Sequence, residues 1–168
     1  AIYSQNQNLE LKRIHGKPLS YNNYNDIFSA LKISRSFPKN IGTVIVKHTN
    51  PCGASILKNS LESYKSALAS DPLSAFGGIV SCNFKINKNL ATELNKIFLE
   101  VVIGNGFEKN AIKILKAKKN LRLIDASDFR LNENLKFNSF SDSLLIQSED
   151  QKILSCLLYT SPSPRDGR

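Results

Sequence analysis

Lys47 and His48 set an ammonium beside an imidazole, and Asn50 adds an amide two positions on. Together Lys47 and His48 can handle a proton and a developing negative charge. They follow the apolar β-formers Val44, Ile45 and Val46, and Pro51 and Gly53 come next. That order reads as a buried strand delivering polar side chains to its carboxyl end, where α/β sheets commonly place ligands. The chain is then expected to turn at Pro51 to Gly53. The plain alternative is a strand end with a solvated Lys and a hydrogen-bonding His, and on this pattern alone it is the default.

Other segments carry candidate chemistry. In Ser74-Ala75-Phe76-Gly77-Gly78 the glycines remove side-chain bulk and tolerate positive φ, so backbone N–H groups can face a phosphate or a carbonyl. A turn with no ligand fits that segment equally well. It has neither the Lys-Ser/Thr ending of a P-loop nor a dinucleotide fingerprint. Glu100 precedes the apolar run Val101-Val102-Ile103. A carboxylate at a strand start normally faces solvent, and matters only where the fold sets it beside a ribose or an amine. His15 reads as a surface residue. A zinc nucleobase deaminase needs His-x-Glu and, later, Pro-Cys-x-x-Cys. Here His48-Thr49-Asn50 lacks the Glu, and Pro51-Cys52 lacks the second Cys. Cys52 and Cys82 therefore read as small buried hydrophobes, and no zinc is expected.

The elements that must position these residues alternate in type. Turn-rich Gly16 to Asn23 offers Ser and Asn side chains to cap the next helix. Helical spacing runs from Tyr24 to Phe37, with Asp26 suited to the first turn and Pro38 as the stop. Ile41 to Val46 is a strand, Ser60 to Ser70 a helix, Asp71 to Gly78 a loop, and Ile79 to Cys82 a strand. Asn89 to Phe98 is a helix, Val101 to Ile103 a strand, Glu108 to Lys118 a helix, and Leu121 to Ile124 a strand. Helices alternating with short apolar strands predict α/β layers. No internal repeat is visible.

The chain has 168 residues, 41% hydrophobic and 22% charged, enough for one globular domain with a core. Its net charge of +9 permits a polyanionic partner. The basic residues are scattered, however, and the cluster Lys116, Lys118 and Lys119 lacks interleaved aromatics, so a solvated helix face is the reading and no nucleic acid is expected. No apolar run approaches the ~20 residues that span a bilayer, and Ala1 to Gln5 does not resemble a signal peptide. The three cysteines, Cys52, Cys82 and Cys156, make no disulfide framework, so a reducing cytoplasm is the expected compartment. Residues 155–168 hold two of the six Pro and no Lys, Asn or Ile. That shift, and the likeness of Leu157 to Asp166 to a translated sequencing adapter, mark a non-native or disordered tail, set aside from fold reasoning.

Taken together, three long motifs resemble one family. They are Gly-Lys-Pro-Leu-Ser-Tyr-Asn-Asn at 16–23, Lys-His-Thr-Asn-Pro-Cys-Gly at 47–53 and Asp-Pro-Leu-Ser-Ala-Phe-Gly-Gly-Ile at 71–79. Phe-Leu-Glu-Val-Val-Ile at 98–103 and Leu-Leu-Ile-Gln at 144–147 extend the likeness, in the family's order, over roughly residues 1–154. The family is that of bifunctional purine biosynthesis enzymes, which join an IMP cyclohydrolase domain to an AICAR transformylase domain. The resemblance places residues 1–154 in the first half of the transformylase domain, as a fragment. It implies a cytidine-deaminase-like, three-layer α/β/α fold without zinc. It also implies formyl transfer from 10-formyltetrahydrofolate to the 5-amino group of AICAR in a cytoplasmic enzyme that is homodimeric at full length. Potassium would belong to the missing half, and the cyclohydrolase domain would precede Ala1. By the same match, His48 is the proton acceptor and Lys47 the transition-state stabiliser. Phe76 lines the AICAR pocket, Gly77 offers backbone contact to the carboxamide, and Glu100 stands where some members place a nucleotide-binding Asp. Asn50-Pro51 would supply the break that lets Lys47 and His48 converge. The fragment alone is expected to be inactive. The competing expectation is a non-catalytic α/β ligand-binding or assembly module.

Overall fold

In a computed structural model, residues 11–130 and 135–148 are described. The expected tail at 155–168 lies outside the described residues. Contacts divide the chain into two compact units, Ala1–Arg130 and Leu131–Arg168.

The larger unit is built on a six-stranded mixed sheet. Its strands are β1 (Lys12–His15), β2 (Gly42–Lys47), β3 (Asn50–Ile56), β4 (Ile79–Cys82), β5 (Val101–Gly104) and β6 (Arg122–Asp125), in the order β1-β6-β5-β4-β2-β3. The strands β4, β5 and β6 run parallel, joined through helices, while β1, β2 and β3 pair antiparallel to their neighbours. Helix α1 (Tyr21–Ser36) covers one face, and α2 (Ser60–Ser70), α4 (Lys88–Leu94) and α5 (Lys109–Leu115) cover the other; α3 (Pro72–Ala75) is a single turn before β4. Two hydroxyl pairs mark the faces. Ser34 of α1 meets the Ser81 hydroxyl at 2.8 Å, and Ser63 of α2 reaches Thr43 at 3.0 Å. Ser81 pairs with Val44, the neighbour of Thr43, and adjacent strand residues point to opposite faces. The result is a three-layer α/β/α arrangement, the expected fold class.

Each layer follows from its sequence. The α1 residues Ile27, Ala30, Leu31 and Ser34 are buried, a stripe at helical spacing. Removing Ile27 and Leu31 from water contributes about 1.5–3 kcal/mol each. On the far face Tyr64, Ala67, Leu90, Leu94 and Leu115 pack on Ile45, Val80, Val102 and Leu123. Helix α1 starts earlier than its spacing predicts, because Ser20 and Asn23 form a capping box: the Ser20 hydroxyl accepts the Asn23 N–H at 3.2 Å, and Asn23 Oδ1 accepts the Ser20 N–H at 3.1 Å. Asp26 consequently falls in the second turn rather than the first. Helix α4 ends at Leu94, short of the expected Phe98. The expected loop at 71–78 contains α3, started by Pro72 and capped by Asp71, whose Oδ1 accepts the Ser74 N–H at 3.0 Å. The sequence pattern does not predict the strand β3. No helix among the described residues is long and apolar enough to cross a membrane.

In the smaller unit the described residues form one hairpin, β7 (Leu135–Phe140) and β8 (Ser143–Ser148), every residue of which is exposed. This hairpin too was not foreseen.

Candidate active site

The strand β2 ends at Lys47, which pairs with Asn50, so the connection to β3 is His48 and Thr49 alone. Both have positive φ, 53° and 63°. A two-residue type I′ hairpin turn requires that, and normally recruits Asn or Gly for it. Left-handed backbone costs an ordinary L residue about 1–2 kcal/mol, and a β-branched residue is an outlier there. The turn is held from outside. Asp26 Oδ1 accepts the Thr49 N–H at 2.7 Å, and the Ser29 hydroxyl donates to the Thr49 carbonyl at 2.6 Å. The Asn50 amide donates to the His48 carbonyl at 2.9 Å. Lys47 Nζ donates to the Phe76 carbonyl at 2.9 Å, tying the hairpin to the segment after α3.

The break in the chain is thus at His48 itself, not at Asn50-Pro51 or Gly53. Pro51 lies within β3, an edge strand where its missing N–H is tolerated. Register slips there, with Ile45 opposite Gly53 and Val46 opposite Pro51, which leaves Cys52 as a bulge. Gly53 serves packing: a Cβ on it would lie 2.0 Å from the Ala67 carbonyl oxygen of α2.

Sheet direction corrects a second expectation. Because β2 runs antiparallel to β4, its carboxyl end lies beside the amino ends of β4 and β5; Val46 pairs with Ile79, and Ile79 with Val101. The site therefore sits at the amino ends of the parallel strands. Glu100 arrives there just before β5. Its Oε2 accepts from the Asn23 amide at 2.8 Å and lies 3.8 Å from Arg122 Nη1.

Lys47, His48, Phe76, Gly77 and Glu100 all line one cavity of about 420 Å³, with Asn23 and Asp26 contributed by α1. Phe76 is exposed and packs on Phe98, ring centroids 5.3 Å apart. Of the two readings of 74–78, the geometry favours the turn over a cradle of free amides. The Ser74 N–H donates to Asp71 Oδ1, Ala75 to the Asp71 carbonyl, Phe76 to Leu73, Gly77 to Phe98 at 2.9 Å, and Gly78 to Ala75. The one-turn helix and the loop before β5 engage those donors, so Gly77 has its carbonyl to offer. Its φ of 75° explains the glycine, since a Cβ would meet only ordinary contact with Phe98. A second cavity of about 440 Å³, between Asn95–Leu99 and Lys118–Leu121, gathers none of the five, so size alone does not mark the site.

The remaining candidates lie elsewhere. His15 is half-buried, its Nε2 3.3 Å from the Lys118 carbonyl. Cys82 is buried against Thr43, and burial pushes its thiol up to about 12. Cys52 is partly buried, also with a raised thiol pKa from desolvation. Asp26 and Ser29 went unrecognised, although Asn23, Asp26 and Ser29 recur every third residue as a polar stripe beside the apolar one of α1.

Fold and cavity define an α/β domain with a cavity walled by a cation, an imidazole and a carboxylate. Sequence comparison narrows this. A family model described as AICARFT/IMPCHase bienzyme matches residues 1–165. The bifunctional purine biosynthesis protein PurH of Bacillus cytotoxicus is 40% identical over 156 residues, 92% of this chain and 30% of that protein; PurH of Bacillus cereus strain AH187 matches equally. The chain thus spans about 30% of the length of these curated relatives. Among solved structures, dCMP deaminase from cyanophage S-TIM5 in apo form covers 58% of this chain and 93% of its own, with 10% identity and TM-score 0.44. Acinetobacter baumannii RibD, form 2, covers 65% of this chain and 37% of its own, with 16% identity and TM-score 0.46. The chain belongs to the AICARFT/IMPCHase bienzyme family.

Proposed function

We propose that this chain serves purine biosynthesis by supplying one wall of a formyl-transfer site, in which a formyl group passes from 10-formyltetrahydrofolate to the 5-amino group of AICAR. The observation that carries this reading is the convergence of Lys47, His48, Phe76, Gly77 and Glu100 on one cavity in a member of this family. The amine is a poor nucleophile, its lone pair delocalised into the imidazole ring and carboxamide. As its nitrogen bonds to the formyl carbon, His48 takes the amine proton. An imidazole suits that task because it exchanges protons near neutral pH. The carbonyl electrons move onto the formyl oxygen, where Lys47 stabilises the charge. One Lys47 proton is engaged by the Phe76 carbonyl, which fixes the ammonium and leaves two others for the oxyanion. The carbonyl re-forms and the bond to the folate nitrogen breaks; that nitrogen takes a proton from Lys47, which regains one from the protonated His48, and the formyl group stays on AICAR.

Phe76 offers a flat apolar wall backed by Phe98, and the Gly77 carbonyl accepts a hydrogen bond from the carboxamide N–H. Glu100 Oε2 is held by Asn23 and Arg122, which leaves Oε1 for a nucleotide hydroxyl. The rest of the site comes from the longer protein, as a homodimer, so the 168-residue chain alone is inactive.

The test is His48→Ala in the full-length protein that carries this chain. Removing a general base lowers kcat by about 10²–10⁴-fold, and AICAR binding measured by calorimetry persists. Near-normal turnover by that variant would remove the base assignment.

A further inference from the structure

We infer that Asp26 and Ser29 are positioning residues that hold His48 in its reactive conformation. The inference rests on the reading of His48 as the base. Two consecutive non-glycine residues, His48 and Thr49, occupy left-handed backbone, which local sequence does not favour. Such strain persists where surrounding groups over-determine it, and it clusters at functional sites. Here the surrounding groups come from one helix. One turn of α1 separates Asp26 from Ser29, and the two side chains grip opposite polar groups of the same residue: the Thr49 N–H at 2.7 Å and the Thr49 carbonyl at 2.6 Å. A donor and an acceptor on one rigid element fix both ends of Thr49, and hence the direction in which the preceding His48 side chain leaves the backbone.

The helix is itself anchored. Its capping residue Asn23 binds Glu100, and its apolar stripe packs on the sheet. Imidazole and carboxylate are thereby referenced to one frame. A loop carrying His48 without this grip would keep the same side chains but relax the turn. A misplacement of about 1 Å in a reacting group costs about a hundredfold in rate.

The experiment measures kcat and KM for AICAR in the full-length protein, with thermal unfolding of each variant. Asp26→Ala removes the acceptor and is expected to lower kcat by about 10- to 100-fold, with KM changed by less than about threefold. Asp26→Asn keeps an Oδ1 acceptor but no charge, and is expected to restore kcat to within about threefold of the parent. Ser29→Ala is the second variant, should Asp26→Ala unfold, and is expected to lower kcat by about tenfold. In a His48→Ala background, Asp26→Ala is expected to add nothing, since it acts through His48. Parent-like kcat in Asp26→Ala and Ser29→Ala overturns the inference. So does an Asp26→Asn variant as impaired as Asp26→Ala, which would assign Asp26 to direct contact with substrate. Additive losses in the double variant overturn it as well. If His48→Ala itself keeps its turnover, the reading of the base fails instead, and the two failures are distinct.

Discussion

Among the described residues two hairpins are closed by two-residue turns, and they are built in opposite ways. In the first, Lys47 pairs with Asn50 around His48-Thr49; in the second, Phe140 pairs with Ser143 around Ser141-Asp142. The first lies in a six-stranded sheet, with β2 buried nearly throughout. Its turn has two positive-φ residues and is gripped by α1. The second has one, Ser141, and the polar contact among its turn residues is a local one, Ser143 Oγ to Asp142. Its twelve strand residues are exposed, including Leu135, Phe137, Leu144 and Ile146, which register places on one face. A hairpin whose strain is imposed by distant groups can aim a side chain.

The contrast is broken most forcefully at Gly53. An added Cβ would lie 2.0 Å from the Ala67 carbonyl oxygen, and that oxygen is helix backbone and cannot swing aside. Gly53→Ala is expected to destabilise the chain by about 3 kcal/mol, read in denaturant unfolding. A change on an exposed strand of the second hairpin, Asn138→Ala, is expected to stay within about 0.5 kcal/mol. Equal effects at the two sites would erase the distinction. A smaller effect of opposite sign is expected at the turn. Thr49→Gly keeps the backbone groups that Asp26 and Ser29 hold, but removes the left-handed penalty on a β-branched residue. It should stabilise by about 1 kcal/mol in the same assay. Ser141→Gly, lacking a second β-substituent to relieve, should gain less.

This difference also explains how much was legible in advance. The limits of α2 and β4 were read correctly, because Asn59, Asp71 and Pro72 punctuate the sequence there. Lys47, His48, Phe76, Gly77 and Glu100 were legible as residue types with a family pattern. The strand β3 was missed because Pro51 and Gly53 look like turn residues. Their tolerance depends on an edge position and on close approach by α2, both of them properties of the assembled sheet. The turn at His48-Thr49 carries no local signal, since its stabilising partners sit some twenty residues upstream. Sheet direction likewise decided which end of the strands holds the cavity, and no single strand encodes its neighbour's direction.

The smallest predicted effect concerns acid. Asp71 caps α3, and its pKa is lowered by hydrogen bonds from Ser74. A folded-state pKa below the unfolded one contributes stability that is present above the unfolded value and is lost as pH falls through the folded value. The window therefore lies below the ordinary aspartate pKa of ~3.9. Protonation there weakens α3, which is followed at once by the Phe76 carbonyl that receives Lys47. On acidification from pH 6, amide exchange at Ser74 should stay constant down to about pH 4 and rise below it, once corrected for intrinsic rates. Asp71→Asn keeps the acceptor but does not titrate, so its Ser74 exchange should be flat across the same range. If wild type and Asp71→Asn respond alike, the external support of the first hairpin does not run through Asp71. The grip of α1 on Thr49 would then be what sets it apart from the second.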